Sequence, residues 1–222
     1  MSYDATRARV EMYFDRTAPK VWAALTSDAP VSRIRQTVRA GRDEMRAKLL
    51  AALPSDLTGA SVLDAGCGAG QMTIELARRG AKVVAVDISP TLIGIAKDRL
   101  PAELRSQVRF AAGDMLAEEH GSFDHVIAMD SLIYYTAEDI HAALSGLSMR
   151  VGQVVFTVAP RNVALMTMFT AGKVFPRADR SPVMIPHAPS KLMRHLSDIG
   201  EMADLGRVNR GFYISQALEL RP

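Results

Sequence analysis

The hydrophobic and polar positions of the chain follow two alternating patterns from residue 61 onward. Short apolar runs have the pattern of strands, and one of them, KVVAVD, is a continuous β-branched run that is typical of a strand buried on both faces of a sheet. These runs are SVLDAG, KVVAVD, QVRFAAGD, FDHVIAMD and GQVVFTVAP. Amphipathic segments lie between them, which predicts a mainly parallel sheet with helices on both faces. In one segment, SPTLIGIAKDRLP, Ser89 is the expected N-cap and Pro90 the first helical residue.

Both ends of the chain depart from this pattern. Residues 1–52 contain two helical segments, RARVEMYF and VSRIRQTVRAGRDEMRAKLLAAL, and we expect them to form a lid before a core at 53–222. Residues 160–188 form an insert that is too long for a plain connection. The closing GFYISQALELRP alternates like a strand, and EMADLGRV is its expected partner. The full prediction is therefore an α/β fold with seven strands, the last two forming an antiparallel pair.

Composition restricts the classes of protein that fit. The chain has 222 residues, of which 48% are hydrophobic, so a packed core is expected. The single cysteine, Cys67, cannot form an internal disulfide and fits a reducing compartment. The N-terminus lacks the apolar stretch of a secretory signal, and no apolar run is long enough to span a bilayer. We expect a cytoplasmic protein. Its net charge of +3 fits an ordinary surface or an anionic ligand, partner or membrane.

The segment VLDAGCGAGQ, residues 62–71, predicts a ligand site at the turn after the first strand. Glycines leave the backbone bare, so that a ligand can lie against it and meet free N–H groups. The dinucleotide fingerprint is absent because Gln71 stands where its last glycine is needed, and no P-loop triplet occurs. Asp64 precedes the turn and would repel a pyrophosphate. It favours a ligand with positive charge.

S-adenosylmethionine (SAM) has that charge, in its sulfonium and its amino group, and it carries no phosphate. Aspartates close the next three strands, at the edge where α/β sheets bind ligands. Asp87 fits the ribose hydroxyls, Asp114 fits the adenine amine, and Asp130 lies under the methionine portion. One aspartate alone could be a turn former, but the ordered set points to SAM. The predicted cofactor residues are Asp64, Gly66, Gly68, Asp87, Ile88, Asp114, Met115, Met129 and Asp130.

The motifs VLDAGCGAG, VVAVDISP, GDM and AMDSLIYY are similar to those of class I SAM-dependent methyltransferases, which have a Rossmann-like fold. The wider chain resembles the magnesium-protoporphyrin IX O-methyltransferase family of (bacterio)chlorophyll biosynthesis. That resemblance runs nearly end to end, over YFDRTA, VSRIRQTVRAGRDE, FDHVIAMDSLIYY, FPRADRSP and GFYISQALEL. Two departures stand out. The family commonly has histidine where this chain has Tyr134, which puts in doubt any imidazole role there, and an aromatic residue where it has Pro19.

The resemblance implies transfer of a methyl group from SAM to one propionate of magnesium protoporphyrin IX. The products would be a methyl ester and S-adenosylhomocysteine (SAH). A propionic acid has a pKa of about 4.3, so it is ionised at neutral pH and needs no general base. The enzyme's main task would then be in-line alignment of the reactants. No protein-bound metal is expected, because the magnesium arrives within the substrate.

An apolar macrocycle with carboxylates needs apolar and cationic contacts. We interpret the insert as a cap over the porphyrin, although a surface hairpin that fills its own core has the same composition. Its predicted substrate-binding residues are Met166, Phe169, Phe175 and Met184. On the N-terminal helix Arg35, Arg39, Arg42 and Arg46 share one face, which is either solvated or functional. The functional interpretation assigns Arg42 to the SAM carboxylate, and Arg35 and Arg39 to a propionate or an anionic partner.

Two tyrosines are candidates for positioning the substrate. Tyr13 lies in the expected lid and Tyr134 follows the fourth strand, although plain packing also explains both. His187 is expected to be an exposed loop residue.

Other functions and partners stay open at this point. The chain lacks the Asn/Asp-Pro-Pro-aromatic loop of amino-group DNA methyltransferases, so no nucleic-acid partner is expected. A methyltransferase for another amphipathic substrate, such as a quinone precursor, and a non-catalytic SAM-binding protein remain alternatives. Candidate partners besides the porphyrin are the magnesium chelatase large subunit and, through peripheral association, the inner or photosynthetic membrane.

Overall fold

The computed structural model describes residues 3–17, 32–161 and 182–222. Its strands are β1 Ser61–Ala65, β2 Lys82–Asp87, β3 Val108–Ala112, β4 Phe123–Ala128, β5 Val151–Val158, β6 Glu201–Arg210 and β7 Tyr213–Arg221. Its α-helices are α1 Tyr3–Met12, α2 Arg33–Ala51, α3 Gln71–Arg78, α4 Pro90–Arg99, α5 Ala137–Ser148 and α6 Pro189–His195. A π-helical turn, Tyr13–Thr17, follows α1, and short 3-10 helices lie at Ala102–Gln107 and Glu118–His120.

The seven strands form one sheet in the order β3-β2-β1-β4-β5-β7-β6. The first five strands run parallel, and β7 pairs antiparallel with both β5 and β6. This arrangement confirms the prediction of a mainly parallel sheet with a C-terminal antiparallel pair. The strand order reverses direction between β1 and β4, and crevices at such a point are where α/β sheets bind ligands.

The core has two layers because successive strand residues point to opposite faces of the sheet. Val62 and Ile127 pack on the face that carries buried residues of α2, α3 and α4. Leu63 and Val126 pack on the opposite face, with buried residues of α5 and α6. The helices therefore cover both faces, as the alternating pattern predicts.

Local signals set the bounds of helix α4. The Ser89 side chain accepts a hydrogen bond from the Leu92 amide at 3.2 Å, which confirms it as the N-cap. Pro90 is the first helical residue, where its missing N–H has no intrahelical partner to lose. The helix ends at Arg99, just before Pro101.

Helix α2 is fixed to the C-terminal hairpin rather than to the parallel strands alone. Met45 and Leu49 on its inner face are fully buried in the core. The Lys48 ammonium donates to the Leu205 carbonyl at 3.1 Å, and Arg210 donates to Glu44 at 2.6 Å. These contacts place the arginine-bearing helix beside the carboxyl edge of the sheet.

The end of the insert, residues 182–188, is anchored to the sheet by backbone hydrogen bonds. The His187 amide donates to the Ala159 carbonyl at 2.8 Å, and the Arg161 amide donates to the His187 carbonyl at 2.6 Å. The expectation of an exposed His187 is wrong, since the residue is only 8% exposed. Its ring nitrogen Nε2 donates to the Tyr135 carbonyl at 2.9 Å, and burial lowers the pKa of this imidazole.

Within the described ranges, no helix combines the length and the apolar character needed to cross a bilayer.

A pair of helical glycines tests the contact between α2 and the hairpin. A Cβ on Gly41 would lie 2.6 Å from the Tyr213 ring, whereas a Cβ on Gly94 would meet no atom within 4 Å. We expect Gly94→Ala to raise the free energy of unfolding by about 0.5–1 kcal/mol, because alanine favours the helix. Gly41→Ala should lower it by about 1–3 kcal/mol through overpacking. Denaturant unfolding measures both, and an equally stabilised Gly41→Ala would contradict the packing described.

Candidate active site

A cavity of about 260 Å³ lies at the carboxyl edge of the sheet, and the predicted cofactor residues line it. All ten of them line it: Arg42, Asp64, Gly66, Gly68, Asp87, Ile88, Asp114, Met115, Met129 and Asp130. Of the predicted substrate residues, Tyr134 and Met184 also line this cavity. Tyr13, Arg35 and Arg39 are not among its described lining residues. Met166, Phe169 and Phe175 lie outside the described residues, as does Pro19.

The glycine turn runs between β1 and helix α3 and forms one wall of the cavity. Gly66 has a φ of 82°, and a Cβ there would lie 2.5 Å from the Ser131 side chain. Gly68 has a φ of 54°, and its amide donates to the Asp87 carboxylate at 2.8 Å. Both positions favour glycine because other residues rarely adopt this left-handed conformation.

Asp64 is a fully enclosed carboxyl group beside this turn. It is 1% exposed, and its Oδ2 accepts a hydrogen bond from the Thr73 hydroxyl at 2.6 Å. Burial raises the pKa of Asp64 to about 7, helped by the nearby Asp87 and opposed by the Thr73 hydrogen bond and by Arg46. The site therefore holds a carboxyl group that a cationic ligand would bind in its ionised form.

Asp87 is oriented by two backbone groups. Its Oδ1 accepts from the Ser89 amide at 2.9 Å and its Oδ2 accepts from the Gly68 amide. Burial raises the pKa of Asp87, and these two N–H donors act in the opposite direction. A carboxylate accepts about four hydrogen bonds, so capacity is left for two ligand hydroxyls.

Asp114 connects the N-terminal helix to the third strand tip. Its Oδ1 accepts from the Tyr3 hydroxyl at 2.9 Å, and its Oδ2 from Arg7 at 2.6 Å. The Tyr3 ring stacks on Tyr135 with ring centroids 5.0 Å apart. Sequence reasoning missed Tyr3 and Arg7, because contacts between residues more than 100 positions apart leave no trace in local periodicity.

Asp130 is the centre of a hydrogen-bonded network at the fourth strand tip. Its carboxylate pairs with Arg42 at 2.5 Å and accepts from the Tyr213 hydroxyl at 3.0 Å. The Thr157 hydroxyl donates to the same carboxylate at 3.2 Å and accepts from the Asp130 amide at 2.8 Å. Asp130 has a φ of 58°, the one positive value among the described non-glycine residues. Such strain is held in place by surrounding contacts and is typical of functional sites.

Aromatic side chains close the cavity on the side of the fourth strand tip. The Phe14 ring contacts Tyr134 edge-on, with centroids 6.1 Å apart, and Tyr13 packs on Phe14 at 5.1 Å. Burial raises the pKa of the Tyr134 phenol, as do nearby Asp130 and Tyr13. Tyr134 is therefore a neutral hydrogen-bond donor over the physiological pH range, and Tyr13 reaches the cavity only through its neighbours.

The arginine stripe of α2 divides along the helix. Arg42 and Arg46 line the cavity, whereas Arg35 is exposed and Arg39 is half-buried outside its lining. The stripe spans about 16 Å of helix, and Val38, between Arg35 and Arg39, also lines the cavity. Helical periodicity identified the shared face but not the part of it that reaches the site.

The described residues contain no group of three His, Cys, Asp or Glu side chains that could hold a metal ion.

Comparisons with known proteins give consistent matches. The family described as magnesium-protoporphyrin IX methyltransferase C-terminus matches residues 128–222, and a methyltransferase domain family matches residues 62–151. Magnesium-protoporphyrin O-methyltransferase of Rhodobacter capsulatus is 60% identical over 222 residues, covering 99% of this chain and 98% of that protein. The protein of the same name from Synechocystis is 32% identical over 216 residues, covering 95% and 94%.

A crystal structure of magnesium protoporphyrin IX methyltransferase from Synechocystis PCC 6803 with bound SAH is similar to this fold. Its TM-score is 0.82 at 30% identity, and the match covers 98% of this chain and 100% of that one.

The substitution Asp64→Asn tests whether burial raises the pKa of the Asp64 carboxyl group. The folded-state pKa of about 7 lies above the unfolded value of about 3.9, so the folded protein binds more protons between these pH values. Its stability should therefore fall as pH rises from about 4 to 7. Asparagine lacks this slope and can still accept from Thr73. We therefore compare the free energy of unfolding of Asp64→Asn with that of the wild type at two pH values, by denaturant unfolding. The difference between the two proteins should shift in favour of the variant by roughly 2–4 kcal/mol between pH 4.5 and pH 8. Parallel pH profiles for the two proteins would refute the shifted pKa.

Proposed function

We propose that this chain, which belongs to the magnesium-protoporphyrin IX methyltransferase family, transfers the methyl group of SAM to a propionate of magnesium protoporphyrin IX. The products are the monomethyl ester and SAH, and the reaction belongs to (bacterio)chlorophyll biosynthesis. The enzyme is thus a SAM-dependent O-methyltransferase. No chemistry beyond a carboxylate and an activated methyl group is required.

One observation carries the proposal: the glycine turn and the strand-end carboxylates Asp64, Asp87, Asp114 and Asp130 line a single cavity. Its two most buried acids, Asp64 and Asp87, favour a ligand with cationic groups and hydroxyls over one with phosphates. SAM has that combination of groups. The donor set and the bare turn therefore fit this cofactor.

The chain's own residues supply the binding contacts. Asp87, with its carboxylate fixed by Gly68 and Ser89, holds the ribose hydroxyls, and Ile88 lies beside them. Asp114 and Met115 hold the adenine, while Asp64 attracts the cationic end of the cofactor. Arg42 binds the carboxylate of the methionine portion, in an orientation fixed by its ion pair with Asp130.

SAM supplies an electrophilic methyl group on a sulfonium, so the acceptor carboxylate needs no activation by a base. The residues around it orient it and exclude water. Tyr134, a half-buried neutral phenol on the cavity wall, donates a hydrogen bond to the propionate. Tyr13 supports Tyr134 from the N-terminal segment, and Met184 contacts the macrocycle. Arg35 and Arg39, which lie outside the cavity lining, bind the second propionate.

We extend the proposal to the covering elements. Residues 1–52 act as a lid, in which α1 holds Asp114 through Tyr3 and Arg7 while α2 is packed into the core. The insert at 160–188 covers the substrate. Because the porphyrin is apolar, the enzyme receives it from the magnesium chelatase large subunit at a cytoplasmic site on the periphery of the membrane.

The direct test is incubation with SAM and magnesium protoporphyrin IX. Mass spectrometry should find porphyrin that is heavier by one methylene unit, with an equal amount of SAH. At saturating SAM, where Asp64 is ionised in the complex, the rate should be nearly constant between about pH 6 and 8, because the propionate, of pKa about 4.3, is ionised throughout. A rate that rises steeply with pH would favour a phenolic acceptor such as a quinone precursor. Cofactor binding without SAH formation would indicate a non-catalytic protein.

Asp87→Asn tests the ribose assignment. The substitution keeps one acceptor for the backbone but removes the charge that strengthens the bonds to the ribose hydroxyls. We expect SAH to bind on the order of 10- to 100-fold more weakly by calorimetry, with the fold intact by circular dichroism. Asp98→Asn, at an exposed position of α4, is the matched control and should bind like the wild type. Unchanged affinity in Asp87→Asn would remove the ribose assignment.

A further inference from the structure

Phe212 is a large aromatic side chain that the fold leaves exposed at the mouth of the cavity. It occupies the short turn between β6 and β7, it is 60% exposed, and it lines the same cavity as the glycine turn. Phenylalanine is normally buried, and this position forgoes most of the stabilisation that burial gives. An exposed aromatic residue at the rim of a concave site is typical of a ligand contact.

The turn that carries Phe212 is held firmly on both sides. Gly211 has a φ of 58°, and a Cβ there would lie 3.3 Å from the Thr37 hydroxyl of α2. Arg210 pairs with Glu44 at 2.6 Å, and the Tyr213 hydroxyl donates to Asp130. The exposure of Phe212 is therefore a consequence of a fixed backbone and not of a loosely attached hairpin.

The size of the cavity indicates what reaches this side chain. At about 260 Å³ it is smaller than the roughly 300–1,000 Å³ of pockets that enclose a drug-sized ligand. A nucleoside bound at the strand-end carboxylates occupies the inner part of this space, so a macrocycle that meets it extends toward the mouth, where Phe212 lies. Val38, Ile133 and Met184 also line the cavity, and with Phe212 they give it an apolar surface that suits a flat ring.

We propose that Phe212 is a specificity-determining residue whose ring packs against the apolar macrocycle of the methyl acceptor, without touching the nucleoside. This inference rests on the proposed function and adds to it a substrate contact on the C-terminal hairpin. Phe212 sets the affinity for the acceptor, and the strand-end carboxylates set the affinity for the cofactor.

The experiment measures the two affinities separately. Magnesium protoporphyrin IX is titrated into SAH-loaded wild type, Phe212→Ala and Phe212→Leu, and the porphyrin fluorescence is followed, so that no turnover occurs. We expect about tenfold weaker porphyrin binding in Phe212→Ala and a smaller loss in Phe212→Leu. The Kd for SAH should be unchanged in both, and KM for the porphyrin should rise while kcat is retained.

Met149→Ala is the matched control. Met149 is 89% exposed, lies at the end of α5, and is not among the described residues that line the cavity. It should bind porphyrin like the wild type.

Porphyrin affinity that is unchanged in Phe212→Ala would overturn the inference while leaving the proposed function intact. A parallel loss of SAH affinity and of thermal stability would also overturn it, because the side chain would then have a structural role. A wild type that neither binds nor methylates the porphyrin would refute the proposed function itself, and this inference with it.

Discussion

The site depends on one constraint, the burial of two carboxyl groups, Asp64 and Asp87, beside a glycine-rich turn whose backbone carries few side chains. Asp64 and Asp87 are 1% and 8% exposed, and an ionised carboxylate is costly to bury without partners. The fold supplies some of these partners, from the Thr73 hydroxyl and the backbone amides of Gly68 and Ser89. A ligand with a cationic end and a pair of hydroxyls would supply the rest, whereas a phosphate would add repulsion. The class of ligand thus follows from charge and burial.

The same edge of the sheet is tied to both ends of the chain. Asp114 binds the N-terminal helix through Tyr3 and Arg7, and Asp130 binds α2 and the C-terminal hairpin through Arg42 and Tyr213. The acids that we propose bind the cofactor are therefore also the attachment points of the elements around the mouth of the cavity. A change in the contacts of these carboxylates at the strand tips would therefore alter the contacts that hold α1, α2 and the C-terminal hairpin.

Much of this arrangement was predictable from the sequence, because the signals are local. The strand runs, the Ser89 cap, the glycine turn and the strand-end aspartates are all read within about ten residues. The contacts of Tyr3 with Asp114 and of Tyr213 with Asp130 join residues 111 and 83 positions apart, and no periodicity encodes them. His187 was expected to be exposed, since its backbone pairing with Ala159 cannot be inferred from the loop composition around it.

The central claim is that the cavity binds a cationic nucleoside against an ionised Asp64. Calorimetric titration of SAH at about pH 6, in two buffers with different ionisation enthalpies, counts the protons exchanged on binding. The ligand's amino group, of pKa about 7.7–8.0, is protonated before and after binding. A buried acid of pKa about 7 must therefore release a proton when the ligand binds, and Asp64→Asn must not. Binding with no proton release in the wild type would contradict the account.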